Sequence, residues 1–209
     1  MSRNFELSFR VGSIPVRVEP WFWLSGLILA SSTRDGPRLV LWLAVFFVSV
    51  LVHEMGHALA ARAFGARASV RLHSFGGVTM PDRNLTRGRN ILMTLAGPFA
   101  GFALAGVAWF LTPMTATAGP LVAWTLGTVV MVNLFWGVVN LLPVPPLDGG
   151  LVLLGALGPR RAKVGHTIAA VVAALVALGA VSGSQPYIAI LFGFFCWQNI
   201  QALRSLTRR

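Results

Sequence analysis

The segment from Leu39 to Phe64 constrains this chain more than any other part, because it is apolar for most of its length and then carries ionisable side chains. Residues 39–52 read LVLWLAVFFVSVLV and contain no charged side chain. His53, Glu54 and His57 follow within the same segment. A run of this length predicts a helix at membrane depth, where ionisable groups cost free energy and mark functional sites.

Composition and charge predict a polytopic membrane protein. Apolar residues make up 56% of the chain and charged residues 11%, whereas soluble domains contain about 25% charged residues. In a soluble protein, the net charge of +11 would favour nucleic acid as a partner. Here the arginines lie between apolar segments, which favours membrane lipid headgroups as partners and argues against nucleic acid.

Six apolar segments are predicted to span the membrane: Trp21–Thr33, Leu39–Phe64, Ile91–Leu111, Leu121–Leu142, Val164–Val181 and Tyr187–Leu203. The first is the weakest, since about 20 Å of helix falls short of a ~30 Å hydrocarbon core. Phe9–Val18 alternates loosely and predicts a surface strand, and Ser69–Thr79 predicts an edge strand that could pair with an extended substrate. The expected fold is therefore all-α and polytopic, with short membrane-associated β-strands.

The distribution of basic residues predicts the orientation of these spans. With the N-terminus in the cytoplasm, the cytoplasmic segments carry all basic residues except Arg34 and Arg38. This asymmetry is typical of the positive-inside rule and places both termini in the cytoplasm. Arginine far outnumbers lysine, an association with GC-rich prokaryotic genomes that favours a prokaryotic plasma or inner membrane.

The HExxH pattern of residues 53–57 indicates a metal site. On a helix, positions i and i+4 lie on one face, so His53 and His57 can ligate one metal ion together. Glu54 lies beside them, where it can act on a water molecule at the metal. The alternative is a pair of buried histidines satisfied by their neighbours, with Glu54 as a partner.

Catalytic zinc usually has three protein ligands, and the candidates for the third are Asp82, Asp148, His73 and His166. Asp82 lies in a polar turn among arginines, and His166 opens the fifth span. Asp148 is favoured because it follows a proline-broken helix end, and broken backbone at membrane depth lines cavities or is buried in protein.

Depth supports the same choice. His53 lies about 21 Å along its span from Leu39 at helical rise, near the cytoplasmic side, and the fourth span runs in the same direction and ends shortly before Asp148. The alternative for Asp148 is a turn aspartate preceding Gly149 and Gly150.

The combination of HExxH with NLLPVPPLDGG at residues 140–150 resembles the site-2 protease family of intramembrane zinc metalloproteases. PVRVEPWFWL at residues 15–24, FGGV at 75–78 and AGPFAG at 96–101 resemble further segments of that family. Gly101 departs from the polar residue expected in many relatives. The resemblance implies one zinc ion per chain held by His53, His57 and Asp148. It also implies Glu54 as the catalytic carboxylate and a substrate-contacting or transition-state role for Asn140.

The expected organisation is a single transmembrane metalloprotease domain over residues 1–209, with a surface segment at 1–20. Its core catalytic spans are 39–64, 91–111 and 121–150, and residues 164–203 form a C-terminal helical pair. The polar connection at 62–90 is too short for a peptide-binding domain of PDZ size, so we expect a minimal catalytic core without an attached regulatory domain.

The predicted activity is zinc-dependent hydrolysis of a peptide bond within or near a transmembrane segment of a membrane-protein substrate. A separate regulatory membrane protein is a further candidate partner. A metal transporter and an inactive membrane scaffold are the competing functions. His73 is a candidate for contact with substrate or zinc, against a structural or interfacial role.

Overall fold

The computed structural model describes residues 6–30, 33, 35–74 and 76–207, with residue 116 described by its backbone alone. Some residues used in the sequence predictions lie outside these ranges. They are the arginines Arg3, Arg34, Arg208 and Arg209, Phe75 of the FGGV segment, and residues 31–32 of the predicted first span. The described chain is mostly helical with one small sheet. Its elements are β1 Leu7–Val11, β2 Ile14–Val18, α1 Pro20–Leu29, α2 Gly36–Ala63, β3 Ala68–His73, β4 Gly76–Pro81, α3 Arg87–Leu111, α4 Pro120–Asn140, α5 Asp148–Leu157, α6 Ala162–Ser182 and α7 Pro186–Thr207, with 3₁₀ turns at Thr112–Ala116 and Pro159–Arg161. The chain divides into two compact units, residues 1–137 and 138–209.

A four-stranded sheet in the order β1-β2-β3-β4 lies in the first unit. β1 and β2 form an antiparallel hairpin, β2 and β3 pair in parallel, and β3 and β4 form a second hairpin. The predicted single strand at Phe9–Val18 is therefore wrong in detail, because the chain reverses at Gly12, whose φ of 58° suits a residue without a Cβ. The predicted edge strand at 69–79 is also a hairpin, in which β3 is interior and only β4 lies at the edge.

The core of the first unit forms where this sheet packs on α2. Alternation along β2 buries Ile14, Val16 and Val18, as expected for a strand with one face in a core. Phe22 of α1 is fully buried and stacks on Phe46 of α2 with ring centroids 4.9 Å apart. This packing fixes α2, the helix that carries the HExxH residues, against the sheet.

Four helical segments within the described residues are long and apolar enough to cross a membrane, namely Gly36–Ala63, Arg87–Thr115, Pro120–Asn140 and Pro159–Ser182. They correspond to predicted spans two to five. The predicted first span is the ten-residue helix α1, and the predicted last span lies within α7. Large apolar side chains such as Leu175 and Leu178 are more than 60% exposed on α6, which suits a lipid environment rather than water. The protein is therefore a membrane protein with four candidate spans in its described part.

The second unit contains the end of α4, the proline-rich segment 141–147, α5, α6 and α7. Val144 of the proline-rich segment is fully buried against Ala173 of α6 and Phe192 and Phe195 of α7. The polypeptide between α4 and α5 is thus anchored into the core of this unit instead of forming a free loop. α5 begins directly after this anchored segment, at Asp148.

Candidate active site

His53 and His57 lie one turn apart on the buried face of α2, as the i, i+4 spacing predicts. Their side chains are 3% and 6% exposed, and their Nε2 atoms lie 3.2 Å apart. Two imidazole nitrogens bound at ~2.0–2.1 Å to a tetrahedral zinc ion are separated by about 3.3 Å. The observed separation therefore fits a shared zinc ion.

The hydrogen bond to Met93 determines which nitrogen of His57 is protonated. Nδ1 of His57 lies 2.9 Å from the carbonyl oxygen of Met93 in α3. A carbonyl oxygen only accepts, so Nδ1 must donate, and in the neutral ring Nε2 then carries a lone pair. That lone pair faces Nε2 of His53, which requires a proton or a cation between the two atoms. A backbone carbonyl holding the outer nitrogen of a metal-binding histidine is a common arrangement.

Thr79 of β4 positions the carboxylate of Glu54. Its hydroxyl lies 2.7 Å from Oε2 of Glu54 and 3.0 Å from the carbonyl oxygen of the same residue. Glu54 is 4% exposed. Gly77, two residues earlier on the same face of β4, leaves the space that the Glu54 side chain occupies, since a Cβ there would overlap its carboxylate. Strand and helix together therefore hold a carboxylate beside the histidine pair.

Glycines of α2 and α3 allow the two helices to approach each other closely at the level of the histidine pair. A Cβ at Gly97 of α3 would overlap the imidazole ring of His57, and a Cβ at Gly56 of α2 would overlap the carbonyl oxygen of Ala96. A Cβ at Gly101 would lie 3.5 Å from Oδ1 of Asn133 on α4. The absence of a side chain at Gly97 thus lets the α3 backbone lie directly against a candidate ligand, whereas the contact at Gly101 is an ordinary one.

A second polar contact lies one turn before His53 on the same face of α2. Ser49 is 2% exposed and accepts a hydrogen bond of 2.8 Å from the side-chain amide of Asn133, which also donates to the carbonyl oxygen of Val129. Satisfying these polar groups inside the helices is necessary at membrane depth. The polar face of α2 therefore extends from Ser49 to His57.

The remaining predicted site residues belong to the second unit. Asp148 is the first residue of α5 and is 9% exposed. Asn140 is the last residue of α4 and is half-buried. Cβ atoms at Gly149 and Gly150 would overlap the backbone of residues 141–145, so these two glycines let the first turn of α5 fold tightly onto the preceding segment. The roles of Asp148 and Asn140 remain predictions.

The other candidates for the third ligand lie in different surroundings. Asp82 is exposed and accepts hydrogen bonds from the backbone N–H and the guanidinium of Arg67. Desolvation raises the pKa of Asp82, but these bonds and the nearby charge of Arg83 together lower it below its ordinary value. His166 bonds to Asn199 at 2.8 Å. His73 ends β3 opposite Gly76 and is half-buried, and its role stays a prediction.

Two contacts at this site escaped the sequence predictions. Thr79 and Met93 lie 25 and 36 residues from the side chains they bond, and neither belongs to a recognisable motif. Thr79 ended the predicted substrate-pairing strand, but nothing in the sequence aligns that strand with Glu54. Met93 contributes only a backbone carbonyl, which carries no residue-specific signal.

Comparison with known proteins identifies the family. The sequence model of peptidase family M50 matches residues 41–119 and 113–181. A zinc metalloprotease of Methanocaldococcus jannaschii is 29% identical over 95% of this chain and 56% of its own length. Stage IV sporulation protein FB of Bacillus subtilis is 32% identical over 67% of this chain and 46% of its own length. The chain thus spans about half the length of the curated relatives that it matches.

Comparison with solved structures supports the same fold. The site-2 protease structure from Methanocaldococcus jannaschii superimposes with a TM-score of 0.65 at 22% identity and covers 95% of each chain. At this identity, the similarity describes the fold. Because the family model matches most of the sequence and includes the HExxH segment, this chain belongs to peptidase family M50, the site-2 protease family.

Proposed function

We propose that this protein is an intramembrane zinc metalloprotease that hydrolyses a peptide bond within or near a transmembrane segment of a membrane-protein substrate. The observation that carries the proposal is the separation of 3.2 Å between the buried Nε2 atoms of His53 and His57, with His57 fixed in the tautomer that presents a lone pair. Glu54, held by Thr79, lies next to His53 in the sequence and on the same buried part of α2. Metal ligands and a carboxylate in this order are typical of zinc peptidases.

The proposed metal is one zinc ion per chain, with His53, His57 and Asp148 as its ligands. His53 and His57 are buried on α2, and Asp148 at the start of α5 would supply the third ligand. Two imidazoles and one carboxylate are donors that zinc prefers, and three protein ligands keep a catalytic position open. The zinc metalloprotease among the relatives supports this choice of metal.

In the proposed hydrolysis, each residue of the site has a separate role. When bound, zinc supplies Lewis-acid activation of water and of the scissile carbonyl group. Glu54 accepts a proton from the attacking water at its side-chain carboxylate and returns it to the leaving amine. Thr79 keeps that carboxylate oriented through its hydroxyl group. Asn140 donates a hydrogen bond from its side-chain amide to the substrate backbone or to the developing oxyanion.

The proposed substrate must unwind locally, because the peptide bonds of an intact helix are shielded. β4 lies at the edge of the sheet and carries Thr79, so an extended substrate pairing there would lie close to Glu54. For the membrane arrangement, we propose that α1 and α7 add to the four candidate spans to make six. Both termini would then lie in the cytoplasm of a prokaryotic cell, with the site near the cytoplasmic side.

Substrate capture in native membranes tests this function. The Glu54→Gln variant keeps the ligands but lacks the general base, so it should retain bound membrane proteins that mass spectrometry can identify. The captured proteins are then incubated with the purified wild-type protein with and without zinc. Zinc-dependent cleavage at a bond within or near a transmembrane segment is expected, and cleavage that survives complete removal of zinc would overturn the proposal.

A further inference from the structure

Asn199 is a buried amide in α7 of the second unit, and it links three separate segments. It is 2% exposed. Its side-chain nitrogen lies 3.1 Å from the carbonyl oxygen of Pro145 and 2.8 Å from that of Phe195. Its Oδ1 lies 2.8 Å from Nδ1 of His166 on α6. A buried amide in an apolar helix costs free energy unless it is hydrogen-bonded, and here the amide makes a bond with every donor hydrogen it has.

The partners of Asn199 fix its orientation and the tautomer of His166. Two carbonyl oxygens can only accept, so the amide nitrogen must face Pro145 and Phe195. Oδ1 then faces His166 and requires a donor there, so Nδ1 of His166 carries a proton. Rotating the amide would place its oxygen against two carbonyl oxygens. The bond from Nδ1 of His166 to Oδ1 therefore acts together with the two carbonyl contacts to keep Asn199 in the orientation that binds Pro145.

Pro145 belongs to the segment that leads directly into Asp148. Its neighbour Val144 is fully buried in the core formed with α6 and α7. Gly150, in the first turn of α5, packs so closely on Val144 and Pro145 that a Cβ there would overlap their backbone. A displacement of the Pro145 carbonyl would therefore move the backbone that leads, three residues later, into Asp148. The side-chain bond from Asn199 ties this segment to α7.

We propose that Asn199 is a positioning residue that holds Asp148 in place for zinc by binding the carbonyl oxygen of Pro145, with His166 keeping the amide aligned. This inference rests on the proposed function, since it takes Asp148 as a zinc ligand. Residues that orient a metal ligand without touching the metal commonly change metal affinity by about 10–100-fold when replaced. Asn199 acts on Asp148 through the backbone, so its effect should appear in zinc affinity.

Zinc affinity of the purified protein, measured by competition with a chromophoric chelator, tests the proposal. Asn199→Leu is close in size but cannot donate to Pro145, and we expect it to raise the zinc dissociation constant by about tenfold or more. Gln198→Leu is the matched control, because it makes the same kind of change at the adjacent, exposed position. The control should bind zinc as the wild type does.

A second comparison separates positioning from general destabilisation. In an Asp148→Ala background, Asn199→Leu should cause no further loss of zinc affinity, because the ligand it positions is gone. A merely structural role would weaken zinc binding in both backgrounds. If the Asn199 variants fail to fold, His166→Leu at its half-buried position carries the test, with an expected increase of severalfold in the dissociation constant.

The outcomes distinguish this inference from the proposed function. Wild-type protein that binds zinc, together with Asn199→Leu or His166→Leu proteins that bind it equally well, overturns the positioning role alone. The positioning role is also overturned if Asn199→Leu lowers zinc affinity in the Asp148→Ala background by as much as it does in the wild type. Wild-type protein that binds no zinc overturns the proposed function and removes the basis of this inference with it.

Discussion

The hydroxyl group of Thr79 lies 2.7 Å from Oε2 of Glu54, so a residue of strand β4 holds the carboxylate of a residue in helix α2. The bond joins the part of the fold that could bind an extended peptide to the residue that would act as the base. A hydrogen bond to a charged group contributes about 1.5–3 kcal/mol. Its removal should therefore be measurable in catalysis without disturbing the metal.

Thr79→Val keeps the shape of the side chain but removes the hydroxyl group. We expect kcat on a captured substrate to fall by about tenfold or more, which corresponds to that bond energy, with zinc content unchanged. Thr79→Ser should restore most of the activity, because it restores the donor. Val78→Ala, at the neighbouring exposed position, is the matched control. Equal kcat values for Thr79→Val and the wild type would show that Glu54 needs no orientation from β4.

Glu54→Gln separates metal binding from chemistry. General acid–base catalysis contributes typically 10²–10⁴-fold to a rate, so we expect kcat to fall by at least about a hundredfold. Zinc content, measured by atomic spectroscopy, should remain close to that of the wild type because no ligand is changed. Substantial turnover by a preparation free of wild-type enzyme would place the base elsewhere.

Zinc content tests the proposed ligand set. We expect about one zinc ion per wild-type chain purified without chelator, and less in His53→Ala, His57→Ala and Asp148→Ala. Asp82→Ala is the control, because Asp82 is exposed and bonded to Arg67. If Asp148→Ala keeps a normal zinc content and Asp82→Ala loses zinc, Asp82 rather than Asp148 is the third zinc ligand.

Two glycines of α3 offer a matched pair of substitutions. Gly97→Ala would place a methyl group on the His57 ring, whereas Gly106→Ala meets no atom within 4 Å. We expect Gly97→Ala to weaken zinc binding by about tenfold or more, in the range seen when the surroundings of a ligand are disturbed. Gly106→Ala should leave zinc affinity unchanged and slightly favour the helix. Wild-type affinity in Gly97→Ala would mean that α2 and α3 separate easily at this level.

Cysteine labelling tests the proposed topology. In a Cys196→Ser background, single cysteines at Arg89 and Arg161 should react with membrane-impermeant reagents from the cytoplasmic side, and a cysteine at Thr117 only from the outside. The arginine distribution that motivates this arrangement is independent of the zinc site. If the cysteines introduced at positions 161 and 117 are labelled from the same side of the membrane, the proposed order of spans is refuted.

Sequence alone was most informative where the chemistry depends on spacing along one helix. His53 and His57 share a face because helical periodicity places i and i+4 together, and the structure confirms that both are buried on α2. Apolar length predicted six spans, and the second to fifth of these match the four candidate spans within a few residues of their ends. Hydropathy was less informative for α1, which is only ten residues long, and for α7, whose end is polar.

The strand region shows where local patterns were insufficient. Alternation along Phe9–Val18 predicted extended backbone, but it could not show that Gly12 reverses the chain into a hairpin. The pattern over 69–79 predicted strand, but only pairing with β2 on one side and β4 on the other makes β3 interior. Strand pairing depends on partners distant in the sequence. The alternation within one strand does not indicate which other strand it pairs with or in which register.

Apolar length and helical spacing are local properties of the chain, and they were enough to predict the membrane class, the histidine pair and the adjacent carboxylate. Three contacts became visible only in the folded chain: Met93 fixes the tautomer of His57, Thr79 holds Glu54, and Asn199 binds the segment leading to Asp148. Each of these contacts joins residues from 25 to 54 positions apart. A hydrogen bond between distant residues forms only after packing has brought their elements together, and packing is a property of the whole core.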